Sequence, residues 1–185
     1  MKKTFKGILF ALMAIISINA FAQEEETCEL YFKDFTIKAG ETKTIYLYLQ
    51  NNFLGRDLQV QVFFGEGITP VAVKARKYFV PIGRALGEGT VFSQAYDEGE
   101  RRLRMLTNNF DGESVFTPGD EPIAELKVKA DDNFSGKVIC QVKDIPGWTC
   151  KLNHDVINPD GTKDVVSVEQ KNYRKFNAYP AVTIP

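Results

Sequence analysis

Ile45-Tyr46-Leu47-Tyr48-Leu49-Gln50 and, after a turn at Asn51-Asn52, Leu58-Gln59-Val60-Gln61-Val62-Phe63 decide the fold. Both stretches alternate apolar and amphipathic residues. Side chains on a strand point alternately to opposite faces, so this period of two sets one face in a core and leaves the other for solvent. Ile45, Leu47 and Leu49 are expected to point inward, and so are Leu58, Val60 and Val62. Tyr46, Tyr48, Gln59, Gln61 and Phe63 are then the outward residues, and they are the candidate binding residues of the chain.

The pattern repeats along the sequence. Cys28 to Ile37 reads as a first strand, with Leu30, Phe32 and Phe35 as anchors. Val71 to Ala75 fits a short strand. Val91 to Tyr96 and Leu103 to Thr107 flank a turn at Asp97-Glu98-Gly99-Glu100. Ile123 to Ala130 alternates with Leu126, Val128 and Ala130 on one side and Glu125, Lys127 and Lys129 on the other. A last strand fits at Val165 to Val168 or within Tyr173 to Val182. Pro81, Gly83 and Gly87 interrupt the stretch from Arg76 to Glu88. No segment carries a long helical period. Short strands separated by turns every ten or so residues predict an all-β sandwich or barrel.

The first 22 residues are set apart. Lys2, Lys3 and Lys6 precede an apolar run from Gly7 to Ile18, and Ala20-Phe21-Ala22 follows. This is the pattern of a secretory signal peptide cleaved before Gln23. The run is short for a membrane anchor. A lipoprotein reading would use Cys28, but Glu26 and Thr27 precede it where small apolar residues are needed. Residues 23–185 are expected to form one exported domain, in the periplasm, at the cell surface or outside the cell, with no membrane insertion after cleavage. The chain has formal charge −1, and losing three lysines leaves −4. A mildly acidic protein has no electrostatic reason to bind nucleic acid.

Cys140 and Cys150 lie at equal distances from Ile145, in a turn sequence Asp144-Ile145-Pro146-Gly147. A hairpin folded there sets the two cysteines opposite each other, close enough for a disulfide in an oxidising compartment. Cys28 is then left over, although it is also a possible partner of either one. Trp148 is expected to pack partly buried beside that disulfide.

Five blocks taken together carry a further signal: Phe35-Thr36-Ile37 with Gly40-Glu41-Thr42 and Ile45-x-Leu47-x-Leu49-x-Asn51; Leu58-Gln59-Val60 running into Gly65-Glu66-Gly67-Ile68; Leu103-Arg104-Met105-Leu106 with Asn108-Asn109-Phe110; Gly119 to Ala130; and Gly136-Lys137-Val138-Ile139. In this order they resemble cohesin-like domains of exported proteins from Bacteroidetes-type bacteria, over roughly Leu30 to Asp144. The resemblance implies a nine-stranded jelly-roll β-sandwich without a catalytic centre. It implies a partner that is a dockerin-like or surface protein, or a polysaccharide. By the same resemblance the strand Leu58–Phe63 belongs to the partner-binding sheet, which favours Gln59 and Gln61 over Tyr46 and Tyr48. The tail after about residue 153 extends beyond the familiar blocks.

No constellation for catalysis stands out. His154 is the only histidine and lies in a polar stretch, without a Gly-x-Ser-x-Gly elbow anywhere in the chain. The spacing suits no zinc site. Asn158-Pro159-Asp160-Gly161, with Asp155 and Asp164 nearby, offers at most a loosely bound calcium ion. EF-hand spacing places Val156 and Ser167 at ligand positions, so a plain Asp-Gly turn is expected. The reading is a secreted, non-catalytic binding module acting through a sheet face or end loops. The alternatives are a subunit that assembles with itself, for instance by strand addition at a sheet edge, and a glycoside hydrolase using two of the many carboxylates.

Overall fold

The protein is described here by a computed structural model, which covers residues 25–85, 90–109 and 116–181. The segment read as a signal peptide lies outside them. Thirteen strands follow one another: β1 (Cys28–Phe32), β2 (Phe35–Ile37), β3 (Thr42–Asn51), β4 (Asp57–Phe63), β5 (Ile68–Val71), β6 (Phe79–Pro81), β7 (Thr90–Asp97), β8 (Arg102–Asn109), β9 (Gly119–Ala130), β10 (Val138–Val142), β11 (Lys151–Ile157), β12 (Lys163–Glu169) and β13 (Lys175–Pro180). Among the described residues a single 3-10 turn, Gly83–Ala85, interrupts them.

The strands form two sheets. One has five strands in the order β1-β3-β9, with β5 and β6 sharing the far edge of β9. The other has eight. There β7 pairs with β8 and β8 with β4, while β10 and β11 share the far edge of β4. β12 pairs with β11 and β13 with β10, and β2 lies parallel beside β13. The inward residues of both sheets close one core: Leu30, Leu47, Leu49, Leu58, Val60, Leu103, Met105, Leu126 and Phe176 are fully buried. The period of two seen in β3, β4 and β9 sets these positions, and their burial from water supplies the main driving force for the sandwich.

The expected nine-stranded jelly roll is present in elaborated form. β1 and β2 are one strand that changes sheets at Lys33-Asp34. β5 and β6 are one strand interrupted by residues 72–78, and β10 and β11 one strand interrupted by residues 143–150. Counted so, the thirteen strands reduce to nine with β12 added. Pro122 marks a bulge in β9: Leu47 pairs with Ala124 but Tyr48 with Pro122, leaving Ile123 as the extra residue. Proline has no N–H for the ladder, so the register shifts there.

The disulfide Cys140–Cys150 does not form, and all three cysteines are free thiols. The turn is where the sequence puts it: Ile145 and Trp148 exchange backbone hydrogen bonds across Pro146-Gly147, and Gly147 has a φ of 79°. The strands on either side do not pair with each other. They return to the same edge of β4, one after the other. Gln141 faces Phe63 and Lys151 faces Gln59, so Cys140 and Cys150 are four residues apart along β4. That is roughly 13 Å at about 3.3 Å per residue, beyond disulfide reach.

The three thiols are buried instead. Burial pushes Cys28 and Cys140 up to about 11 and Cys150 up to about 12. The protonated thiol is the poor nucleophile. A thiol reagent at neutral pH is therefore expected to label no cysteine in the folded chain and three in denaturant. One or none labelled in denaturant without reductant would mean a disulfide exists. The same shifts set an alkaline limit. The neutral thiols are the form the fold accepts, so their contribution is complete below the unfolded value of 9.0 and declines as pH rises toward 11 and 12. Thermal unfolding followed from pH 8 to pH 11 should give a falling Tm.

Candidate functional site

Two outer sheet faces carry the aromatic and amide residues that the sequence singles out. On the five-stranded sheet Tyr48 stacks on Tyr31 with ring centroids 5.1 Å apart, and the Lys33 ammonium sits 4.2 Å above the Tyr48 ring. Tyr31 is buried, its ring lies under the Arg174 guanidinium at 4.7 Å, and its hydroxyl donates to Asp120 at 2.7 Å. Burial, then that hydrogen bond, pushes the Tyr31 phenol up to about 12. Tyr46, 39% exposed, is the more open of the two tyrosines of β3.

On the eight-stranded sheet Gln59, Gln61 and Phe63 do point away from the core, as the alternation requires. The solvent expected over them is replaced by the chain between β10 and β11. Gln61 is fully buried, and its Nε2 donates to Lys143 O at 2.7 Å. Gln59 Nε2 donates to Thr149 O at 2.9 Å. These amides stand in for the ladder bonds that β4 lacks where residues 143–150 leave its edge. Phe63 lies 4.4 Å beneath the Lys143 ammonium.

The same excursion delivers a residue that was assigned elsewhere. Trp148 packs under the Arg104 guanidinium of β8, 5.1 Å from its ring centroid, rather than against a disulfide. Arg104, Trp148, Lys143 and Phe63 thus form two adjoining cation–aromatic pairs on one face, each worth roughly 0.5–1 kcal/mol where exposed. Leu106, on β8 beside Gln59, is half-buried on the same side. Among the described residues neither Arg104 nor Lys143 has an ion pair with a carboxylate within 4.0 Å. The signal for Arg104 was present in the alternation of β8, but nothing local pairs it with Trp148.

The remaining polar clusters are occupied by their own neighbours. His154 is buried against the Phe53 ring, centroids 4.9 Å apart, with Glu26 Oε2 2.8 Å from its Nε2. Asp155 pairs with Arg56 at 2.8 Å and with Lys163 at 2.5 Å. Asp160 accepts from the Thr162 N–H at 2.9 Å and from its hydroxyl, and Asn158 Nδ2 donates to Asp164 at 2.8 Å. The segment is an Asp-Gly turn closed by side chains. Among the described residues no group of three or more His, Cys, Asp or Glu is placed to hold a metal ion, and no helix is long and apolar enough to cross a membrane.

No family model matches the chain, and no curated protein matches it. Solved structures do. The seventh ScaB type I cohesin from Pseudobacteroides cellulosolvens superposes with a TM-score of 0.60 at 11% identity, over 86% of this chain and 95% of that one. The sixth cohesin of scaffoldin B from Acetivibrio cellulolyticus, in complex with a Cel5 dockerin, gives 0.58 at 10% identity, over 84% and 99%. A type III cohesin module from the ScaE cell-surface anchoring scaffoldin of Ruminococcus flavefaciens gives 0.58 at 7% identity, over 87% and 91%. The fold is that of a cohesin-like jelly-roll domain.

Proposed function

We propose that this protein is an exported, non-catalytic protein-binding module. Its partner docks on the outer face of the eight-stranded sheet, over β7, β8, β4 and the 143–149 excursion. The observation that carries the reading is the Arg104–Trp148 and Lys143–Phe63 cluster. Two cations without carboxylate partners among the described residues lie beside two aromatic rings and Leu106, where Gln59 and Gln61 hold the 143–149 excursion against β4. Arginine and large aromatics are the side chains most often found at the centre of protein interfaces. The free cations suit a partner surface with carboxylates. The solved cohesins that this fold resembles include several crystallised with dockerins, which supports a protein partner.

The glycan alternative has less to work with. A sugar-stacking platform needs open rings, and on the opposite sheet Tyr48 lies under Lys33 and Tyr31 is buried, leaving Tyr46.

The test is capture of secreted and surface proteins from the producing organism on the immobilised protein. The Arg104→Glu/Lys143→Glu variant should lose the dominant partner by about tenfold or more in affinity, as expected when interfacial charges are reversed. Tyr46→Ala should retain it. Loss with Tyr46→Ala and retention with the charge reversal would move the site to the other sheet.

A further inference from the structure

Among the described residues two that are not glycine take a positive φ, and both are arginines: Arg101 at 51° and Arg76 at 59°. A residue with a Cβ meets a steric penalty there. At Arg101 the side chain offsets it. Its Nε donates to Phe64 O at 3.1 Å, and its Nη2 donates to Gly65 O at 2.8 Å and to Ile68 O at 2.5 Å. Arg76 has no such compensation. Among the described residues its guanidinium makes no ion pair and no hydrogen bond. Local strain of this kind clusters where a chain meets a ligand.

Arg76 sits at the tip of a tight hairpin between β5 and β6. Val73 N donates to Lys77 O at 2.7 Å, and Lys77 N to Lys74 O at 2.9 Å. Lys74 and Lys77 stand opposite each other, an arrangement in which like charges destabilise the pair. Residues 72–77 are all exposed. Neither lysine has an ion pair among the described residues. Between Glu66 and Glu88 the sequence has no carboxylate side chain, while it carries Lys74, Arg76, Lys77 and Arg84. On the neighbouring β9, Lys127 faces Val71 and Glu125 faces Val80, so that strand leaves the excess positive charge intact.

The base of the hairpin is fixed. Gln94 of β7 reaches across to it: its Oε1 accepts from Tyr78 N at 2.8 Å and from Phe79 N at 2.7 Å, and its Nε2 donates to Phe79 O at 2.8 Å. A cavity of about 260 Å³ opens beside the tip, lined by Val73, Lys74, Lys77, Phe79, Val80 and Pro81. Of these, Phe79 is buried and Val73 is 45% exposed. The cavity is smaller than the roughly 300–1,000 Å³ that holds a drug-sized ligand. It suits a single apolar side chain of the kind that anchors a protein contact.

We propose that the 73–77 hairpin is a second docking site, for an acidic protein segment. Carboxylates of that segment take the Arg76 fork and the two lysines, and one apolar side chain between them enters the cavity. Charge complementarity selects the occupant: an anion opposite Lys74 and Lys77 relieves their repulsion, and a carboxylate on Arg76 supplies the partner that its strained position lacks. The apolar cavity distinguishes a protein segment from a bare anionic surface, which has no side chain to insert. Arginine at the tip points the same way. A charged lipid surface attracts lysine and arginine alike, whereas a carboxylate pairs with the planar guanidinium through two parallel hydrogen bonds. The hairpin lies on the five-stranded sheet and uses none of the residues of the Arg104–Trp148 cluster.

The probe is a labelled peptide, Glu-Glu-Leu-Glu-Glu, titrated with the protein at low salt and read by fluorescence anisotropy. It should bind about tenfold or more tightly than Gln-Gln-Leu-Gln-Gln, which lacks the charge, and more tightly than Glu-Glu-Ser-Glu-Glu, which lacks the apolar side chain. Arg76→Gly should weaken binding by about tenfold or more. The same variant should hold or raise Tm, because glycine accepts a positive φ without strain. Arg76→Lys should recover little of the affinity. Arg76→Gly should also leave capture of a partner through Arg104 and Lys143 unchanged, so the two sites fail separately. Equal binding of the glutamate and glutamine peptides overturns the proposal. So does binding that Arg76→Gly leaves unchanged, or a fall in Tm that accounts for its loss. Full affinity in Arg76→Lys, with the protein sedimenting on phosphatidylglycerol vesicles, would replace the acidic segment with a lipid surface.

Discussion

Replacing Gln170 with leucine is expected to destabilise the fold by about 2–4 kcal/mol, because it strips two buried backbone groups of their partners. Gln170 is buried in the connection from β12 to β13, two strands of the eight-stranded sheet, where that connection runs beside β1 of the five-stranded sheet. Its Oε1 accepts from Leu30 N at 3.0 Å, and its Nε2 donates to Leu30 O at 3.0 Å and to Asn172 O at 2.5 Å. One amide therefore serves Leu30 as a neighbouring strand would. Leucine fills the space and leaves the Leu30 N–H and C=O unpaired in a closed seam, and such groups are rarely tolerated.

Gln170→Glu separates this account from a simple packing effect. Its carboxylate can still accept from Leu30 N but faces Leu30 O with no proton to donate. Protonation restores the donor, so the side chain's folded pKa should lie above the unfolded carboxyl value. Its contribution to stability is then complete below that unfolded value, near pH 4.3, and is lost as pH rises through the folded one. The variant should approach the parent in acid and fall away from it toward neutrality. Urea unfolding at pH 4 and pH 7 reads this directly. An equal deficit at both values would rule out the hydrogen-bond role.

The second large effect is expected at Arg84. This residue stands on the 3-10 turn between β6 and β7 and reaches under the start of β9. Its Nη1 donates to Asn51 Oδ1 at 2.7 Å and to Thr117 O, and its Nη2 donates to Leu49 O and, at 3.3 Å, to Gly119 O. Four oxygens from β3 and the approach to β9 converge on one guanidinium. Burial lowers its pKa from the ordinary arginine value, yet the oxygens around it favour the charge. Arg84→Met keeps the aliphatic stem and leaves those oxygens without a donor. A loss of about 3 kcal/mol is expected, in line with removing charged hydrogen bonds from a shielded site. Arg84→Lys should recover only part of it, because an ammonium lacks the planar fork that spans two strands. Equal stability of Arg84→Lys and the parent would mean that charge alone matters there.

These residues show where reading by pattern stops. Alternation in Ile45–Leu49, Leu58–Val62 and Leu126–Ala130 placed the core side chains of β3, β4 and the end of β9, since a period of two has one solution when one face must be dry. Turn chemistry placed Asp97–Glu100, Pro146–Gly147 and Asn158–Gly161 just as directly. The candidate site was legible in part. The face of Gln59, Gln61 and Phe63 could be read from the strand, but not the chain that lies over it. Gln61 is read as a contact residue and is found bonded to Lys143 O, because alternation says which way a side chain points and nothing about what arrives there from eighty residues away.

The sequence by itself determined an all-β chain, the inward set of its core, the positions of its turns and the order of blocks that a cohesin-like sandwich requires. Tertiary structure alone decided which edges meet. It set β10 and β11 end to end on β4, which keeps Cys140 and Cys150 apart, and brought Trp148 under Arg104. It closed two seams with Gln94 and Gln170 and set β12 beside β11 at the end of the eight-stranded sheet. The division has one physical cause. Burial of apolar faces is local and periodic, so it is written along the strand. Pairing of edges depends on backbone groups that every residue shares, so it is settled only when distant strands compete for them.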